Sequence, residues 1–136
     1  MIELTYRELD RANRTGAFQA LLQAKKPIRM KVALRSLPEA FDREYEKLDT
    51  MRRELAVENG GTPNNETNIF EFGPDDQIKM NKALAELLEQ KIKLPFDPVP
   101  FAQLQEADGT VEAPKQWEPN EVILGALSPF LDFAGF

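Results

Sequence analysis

The most constraining feature of this chain is an apolar periodicity that begins at Met30 and is sustained to Leu55. Val32, Leu34, Leu37, Phe41, Tyr45, Leu48 and Met51 recur between them, mainly at spacings of three and four. That spacing puts one apolar stripe along a helix and obliges other elements to cover it. Pro38 interrupts the run, and a proline inside a helix costs about 3 kcal/mol. Ser36-Leu37-Pro38-Glu39 resolves the conflict as a capping box, with the proline in a first turn whose amides have no helical partner anyway. The segment therefore predicts a short helix from Ile28 to Arg35 and a long one from Leu37 to about Glu58.

Neighbouring signals extend this frame. Thr5-Tyr6-Arg7-Glu8 reads as another capping box, opening a helix that runs to about Lys26, with a break at Thr15 where Gly16 weakens it. Pro27 ends that helix. Asn59 to Asn65 carries two glycines and a proline and reads as a loop, with Gly60 as a left-handed cap on the long helix. Ile69, Phe70 and Phe72 suggest a short extended piece. Gly73-Pro74-Asp75-Asp76 then starts a helix reaching about Ile92, its early acids placed at the positive end of the helix dipole. Ile92 to Phe96 alternates like a strand, but Pro95 restricts it to an edge or an extended arm. A turn is expected at Asp108-Gly109, and short helices at Glu118–Leu127 and after Ser128-Pro129.

A length of 136 residues suits a single domain. Its parts are a helical portion over residues 1–58, a loop over 59–73, a helix over 74–92 and an extended arm with short helices over 93–136. The expected fold is mainly α: a long antiparallel helical hairpin, braced by the N-terminal helix and wrapped by a proline-punctuated C-terminal arm.

Composition narrows the chemistry sharply. The chain has no cysteine and no histidine. It therefore has no disulfide, no thiolate nucleophile, no imidazole base and no Ser-His or Cys-His pair. Carboxylates are the remaining acid–base groups. Glu39 with Asp42, and Glu86 with Glu89, each lie three apart on a predicted helix, so four oxygen ligands could approach Mg²⁺ as in all-helical nucleotide hydrolases. Arg43, Lys47, Lys82 and Lys91 lie close enough to pair with these acids instead. No catalytic residue, metal or cofactor is assigned.

Charge is distributed unevenly. Up to Ser36 there are eight Lys/Arg against three Asp/Glu, and from Leu37 onward nine against twenty, within a net charge of −6. This asymmetry predicts self-association that weakens with salt. The basic run of Lys25, Lys26, Arg29, Lys31 and Arg35 has no interleaved aromatics and no recognition-helix signature, so direct nucleic-acid contact is not expected. The acids Glu39, Asp42, Glu44, Glu46, Asp49, Glu54 and Glu58 along the long helix raise a different reading, an acidic inhibitor of a nucleic-acid-handling host enzyme. Near the C-terminus, Phe130, Leu131, Phe133 and Phe136 form either an aromatic binding element or a closure of the core. No apolar run is long enough for a bilayer and none resembles a signal peptide, which predicts a cytoplasmic protein with no membrane partner.

The succession Ile2 to Leu9, Pro27 to Leu37, Phe41 to Glu58, and Lys91-Ile92-Lys93-Leu94-Pro95-Phe96 resembles small helical-hairpin accessory proteins of tailed bacteriophages. The resemblance covers about three quarters of the chain and implies phage origin, and hence residence in the host cytoplasm. It carries no activity and no functional residue. The expected function is a non-enzymatic protein-binding factor that engages a host or phage protein. Its candidate contact residues are Phe130, Leu131, Phe133, Phe136, Lys25, Lys26, Arg29 and Arg35.

Overall fold

A computed structural model describes residues 1–67, 69–105 and 117–134. The chain is mainly helical, with six α-helices among the described residues: α1 (Tyr6–Arg14), α2 (Ala17–Gln23), α3 (Ile28–Ala33), α4 (Leu37–Glu58), α5 (Pro74–Leu88) and α6 (Glu121–Leu127). Six short strands accompany them: β1 (Ile2–Thr5), β2 (Thr62–Asn64), β3 (Ile69–Glu71), β4 (Lys91–Leu94), β5 (Val99–Pro100) and β6 (Leu131–Asp132). They form three separate two-stranded pairs, antiparallel β1–β4 and β2–β3 and parallel β5–β6.

The expected long helical hairpin is not the architecture. α4 and α5 do touch, but α2 packs more extensively on α6, and α1 packs on both α2 and α6. The reason lies in which residues can be buried. Phe18 of α2 stacks on Phe41 of α4 with ring centres 3.9 Å apart, and Phe130 leans on both rings at 6.0 and 6.2 Å. Leu9, Leu21, Leu37, Leu127 and Ile2 close around that aromatic triplet, each fully buried. Stacked rings bury more apolar surface than the aliphatic side chains between α4 and α5, so the core gathers at the N-terminal half of α4.

The segment expected to wrap the outside as an arm instead enters the core. Val99, Phe101, Leu104, Ala126 and Leu127 are buried. Its first piece, β4, pairs with β1 in a register that sets Ile2 opposite Leu94 and Glu3 opposite Lys93. Alternation does the rest: Ile2, Leu4 and Leu94 point inward, while Glu3 and Lys93 form an exposed ion pair at 3.3 Å.

Local signals explain most element ends. At α1 the Glu8 amide donates to the Thr5 hydroxyl at 3.2 Å and the Thr5 amide donates to the Glu8 carboxylate at 2.9 Å, the reciprocal capping box expected there. Gly16 takes φ +74°, which divides the first helix into α1 and α2. Gly60 takes φ +80° after α4, and the Gly61 amide donates to the Ala56 carbonyl at 2.8 Å. The capping box expected at Ser36 does not form. Ser36 itself has helical geometry (φ −93°, ψ −3°), because the Leu37 amide donates to the Leu34 carbonyl and draws α3 directly into α4. A side chain caps a helix only from an extended backbone, so Ser36 has no such role. The loop expected over 59–65 is also partly structured, since Thr62–Asn64 pairs with Ile69–Glu71 as a hairpin. The turn expected at Asp108-Gly109 lies outside the described residues.

Candidate functional site

The contact residues expected from the sequence separate into two groups. Phe130 is 0% exposed and Leu131 6%, so both belong to the core and their expected role at a partner surface is corrected. Phe133 is 41% exposed but rests on Phe101, ring centres 5.3 Å apart. Phe136 lies outside the described residues. Phe130 and Leu131 are buried in a segment where Asp132 is the lone charge between Phe130 and Ala134, so little opposes packing them.

The basic group does reach the surface. Lys25, Arg29, Lys31 and Arg35 are exposed, and none of them forms an ion pair among the described residues. Lys25 is fixed through its backbone, which exchanges two hydrogen bonds with Gln105 at 2.8 and 2.9 Å. Lys26 turns inward, and its ammonium donates to the Leu22 and Ala24 carbonyls at 3.0 and 2.8 Å. That placement lowers its pKa, first through burial and then through repulsion from Lys31.

α3 is the element that sets this geometry. With a cation at 29 and 31 it can bury one residue well, Met30, and its other apolar residues must face out. Ile28 is 77% exposed and Val32 63%. Four-residue spacing makes them one ridge. Arg29 and Lys31 lie about 80° to either side of it at 100° per residue. On the flank of α3 a groove of about 350 Å³ runs between Met30, Ala33 and Leu34 on one side and residues 95–100 on the other, with Pro95, Phe96, Pro98 and Pro100 in its wall. The sequence exposed the charge of this region, but periodicity alone counted Val32 with the buried stripe.

At the far end of α4 lies a second groove, about 260 Å³, between α4 and α5. Met51, Leu55, Ala83 and Leu87 form its floor, and Glu54, Glu58 and Glu86 stand around it. These three carboxylates form no ion pair among the described residues, whereas other acids of α4 do. Glu39 pairs with Arg43 at 3.7 Å, Glu44 with Lys47 at 3.1 Å and Asp49 with Arg53 at 3.0 Å. The row of acids is thus neutralised in part, at three of its seven members. The four carboxylates considered for Mg²⁺ are not brought together: Glu39 lies against Arg43, and Glu89 is held by Arg7 at 2.8 Å. No group of three or more His, Cys, Asp or Glu placed to hold a metal ion occurs among the described residues.

One polar cluster had no counterpart in the sequence reading. Asp10, 6% exposed, is the buried charge of the core. Its carboxylate accepts from Arg52 at 2.7 Å, Arg14 at 2.8 Å and the Tyr45 hydroxyl at 3.3 Å. Burial alone would lower the Arg52 pKa, but the hydrogen bond and charge of Asp10 outweigh it and hold the guanidinium above its ordinary value. With both oxygens engaged, Asp10 ties α1 to α4. The available signal was an acid beside Leu9 on the apolar side of α1, which demands a cationic partner from another helix.

No protein-family model matches the chain, and no curated protein or solved structure matches it. No helix among the described residues is long and apolar enough to cross a membrane.

Proposed function

We propose that the chain is a non-enzymatic protein-binding factor that docks an acidic partner surface through α3 and the groove beside it. The observation that supports this reading is the exposed ridge of Ile28 and Val32, flanked by cations that have no ion-pair partner among the described residues. Apolar side chains exposed in register, with charge around them, are the anatomy of an interface centre and its rim. The reading is consistent with the phage accessory proteins the sequence resembles, for which the partner would be a host or phage protein in the host cytoplasm.

Capture from a bacterial lysate on the immobilised chain, followed by mass spectrometry, tests it when wild type is compared with an Ile28→Asp/Val32→Asp variant. The expected result is a protein retained by wild type and lost by the variant. Identical capture by both would place the binding surface elsewhere and end the proposal for α3.

A further inference from the structure

We infer that the partner fitted by α3 is a second copy of this chain, with Ile28 and Val32 of one copy seated in the α4–α5 groove of the next. The inference rests on the docking role just proposed for α3 and names its occupant. What α3 requires is a concave apolar floor with acids on both sides, and the chain carries such a surface. Met51 and Leu55 form one row of the groove floor and Ala83 and Leu87 the other, each pair four residues apart. A ridge of residues four apart packs between two such rows as helices pack ridge into groove. The volume of about 260 Å³ accommodates an isoleucine and a valine side chain together.

Charge matches on both flanks. Arg29 and Lys31 stand to either side of the ridge, while Glu54 and Glu58 rise from one wall of the groove and Glu86 from the other. The nearest cations on α4, Arg52 and Arg53, are held by Asp10 and Asp49.

A chain cannot satisfy this match by itself. α3 leads directly into Leu37 at the start of α4, and the groove lies beyond residue 51 of the same helix. At 1.5 Å per residue the groove near Glu54 lies about 25 Å along α4 from Leu37, the end at which α3 is joined by a three-residue turn. The contact is therefore between copies and heterologous, so it generates a ring or an open chain.

Sedimentation or light scattering on the full chain, at low and high salt, reads this directly. At low ionic strength the wild type should have about twice the monomer mass or more, falling toward the monomer as salt screens the flanking charges. Arg29→Glu/Lys31→Glu, and separately Glu54→Lys/Glu86→Lys, should each be monomeric at low salt with unchanged circular dichroism. Mixing the two variants should restore the larger mass, because each now carries the complement of the other. A monomeric wild type at low salt, assembly indifferent to either substitution, or failure of the mixture to recover would overturn the inference. Loss of a captured foreign protein on Ile28→Asp/Val32→Asp, alongside a monomeric wild type, would sink self-assembly alone and leave the docking role of α3 standing.

Discussion

Two short segments near opposite ends of the chain carry comparable apolar content and meet opposite fates. Within residues 128–133 Phe130 and Leu131 turn inward, Phe130 0% exposed in the aromatic triplet. Residues 28–33 turn outward, with Ile28 77% exposed. The difference is the spacing of charge. Between Ser128 and Phe133 there is one ionised side chain, Asp132, at the far end, whereas α3 has Arg29 and Lys31 on opposite flanks of a six-residue helix. Burying Ile28 and Val32 would also bury those cations or leave them facing protein, and an unpaired buried charge costs far more than two aliphatic side chains return. Charge density, more than apolar content, decides which of two similar segments becomes core.

Substitutions that exchange these fates test the comparison most severely. Phe130→Ala empties the contact shared by Phe18 and Phe41 and should destabilise by about 3–5 kcal/mol, read from the urea midpoint. A loss below about 1 kcal/mol would mean the C-terminal segment is not core. Next comes charge that is buried rather than free. Asp10→Ala strips Arg52, Arg14 and Tyr45 of their shared acceptor and should cost about 2–4 kcal/mol, less than a fully enclosed pair because Arg52 is partly exposed. Arg29→Ala, by contrast, should change stability by no more than about 0.5 kcal/mol.

Tyr6 in the core and Lys26 just before α3 should respond to alkali with opposite sign. Burial, and then the charge and hydrogen bond of Glu44, raise the Tyr6 pKa above its ordinary 10.0. A raised folded-state value gives stability that is complete below pH 10.0 and lost as pH rises through the folded value. Lys26 is lowered from 10.5, so its contribution is present above that pH and lost as pH falls through the depressed value. Urea midpoints from pH 8 to about 11.5 should therefore fall less steeply for Tyr6→Phe than for wild type, and more steeply for Lys26→Met. Parallel profiles for wild type and Tyr6→Phe would remove that tyrosine from the account. The smallest effect belongs to the exposed ridge. Ile28→Ser and Val32→Ser should shift stability by no more than about 0.5 kcal/mol each, while reducing whatever binding α3 supports.

The parts of this fold visible in the sequence are those written locally. The limits of α4, the Thr5–Glu8 box, the left-handed Gly60 and the proline start of α5 all depend on residues within a few positions of one another. The strand pairs β1–β4 and β5–β6 do not. β5 and β6 are two residues each, and β1 meets a partner about ninety positions away, so no local pattern announces either pairing. The candidate site was half visible for the same reason. Its cations can be read from Lys25 to Arg35, but the exposure of Ile28 and Val32 depends on how α3 sits against Leu34 and residues 95–100. The pairing of Asp10 is not legible locally, because its partners Tyr45 and Arg52 lie on a helix more than thirty residues away.

The pairing of β1 with β4 has a consequence for biosynthesis. Ile2 and Leu4 are made before the strand that covers them, and Leu94 must emerge before the register can close. At translation rates of about 5–20 residues per second, these apolar residues wait roughly 5–20 seconds without their mate. Closing a loop of that length then costs about 4 kcal/mol in chain entropy, which the aromatic triplet cannot offset until Phe130 has also appeared. β1 is thus synthesised long before β4 and is among the elements secured last, and during that interval Ile2 and Leu4 remain uncovered by their strand partner.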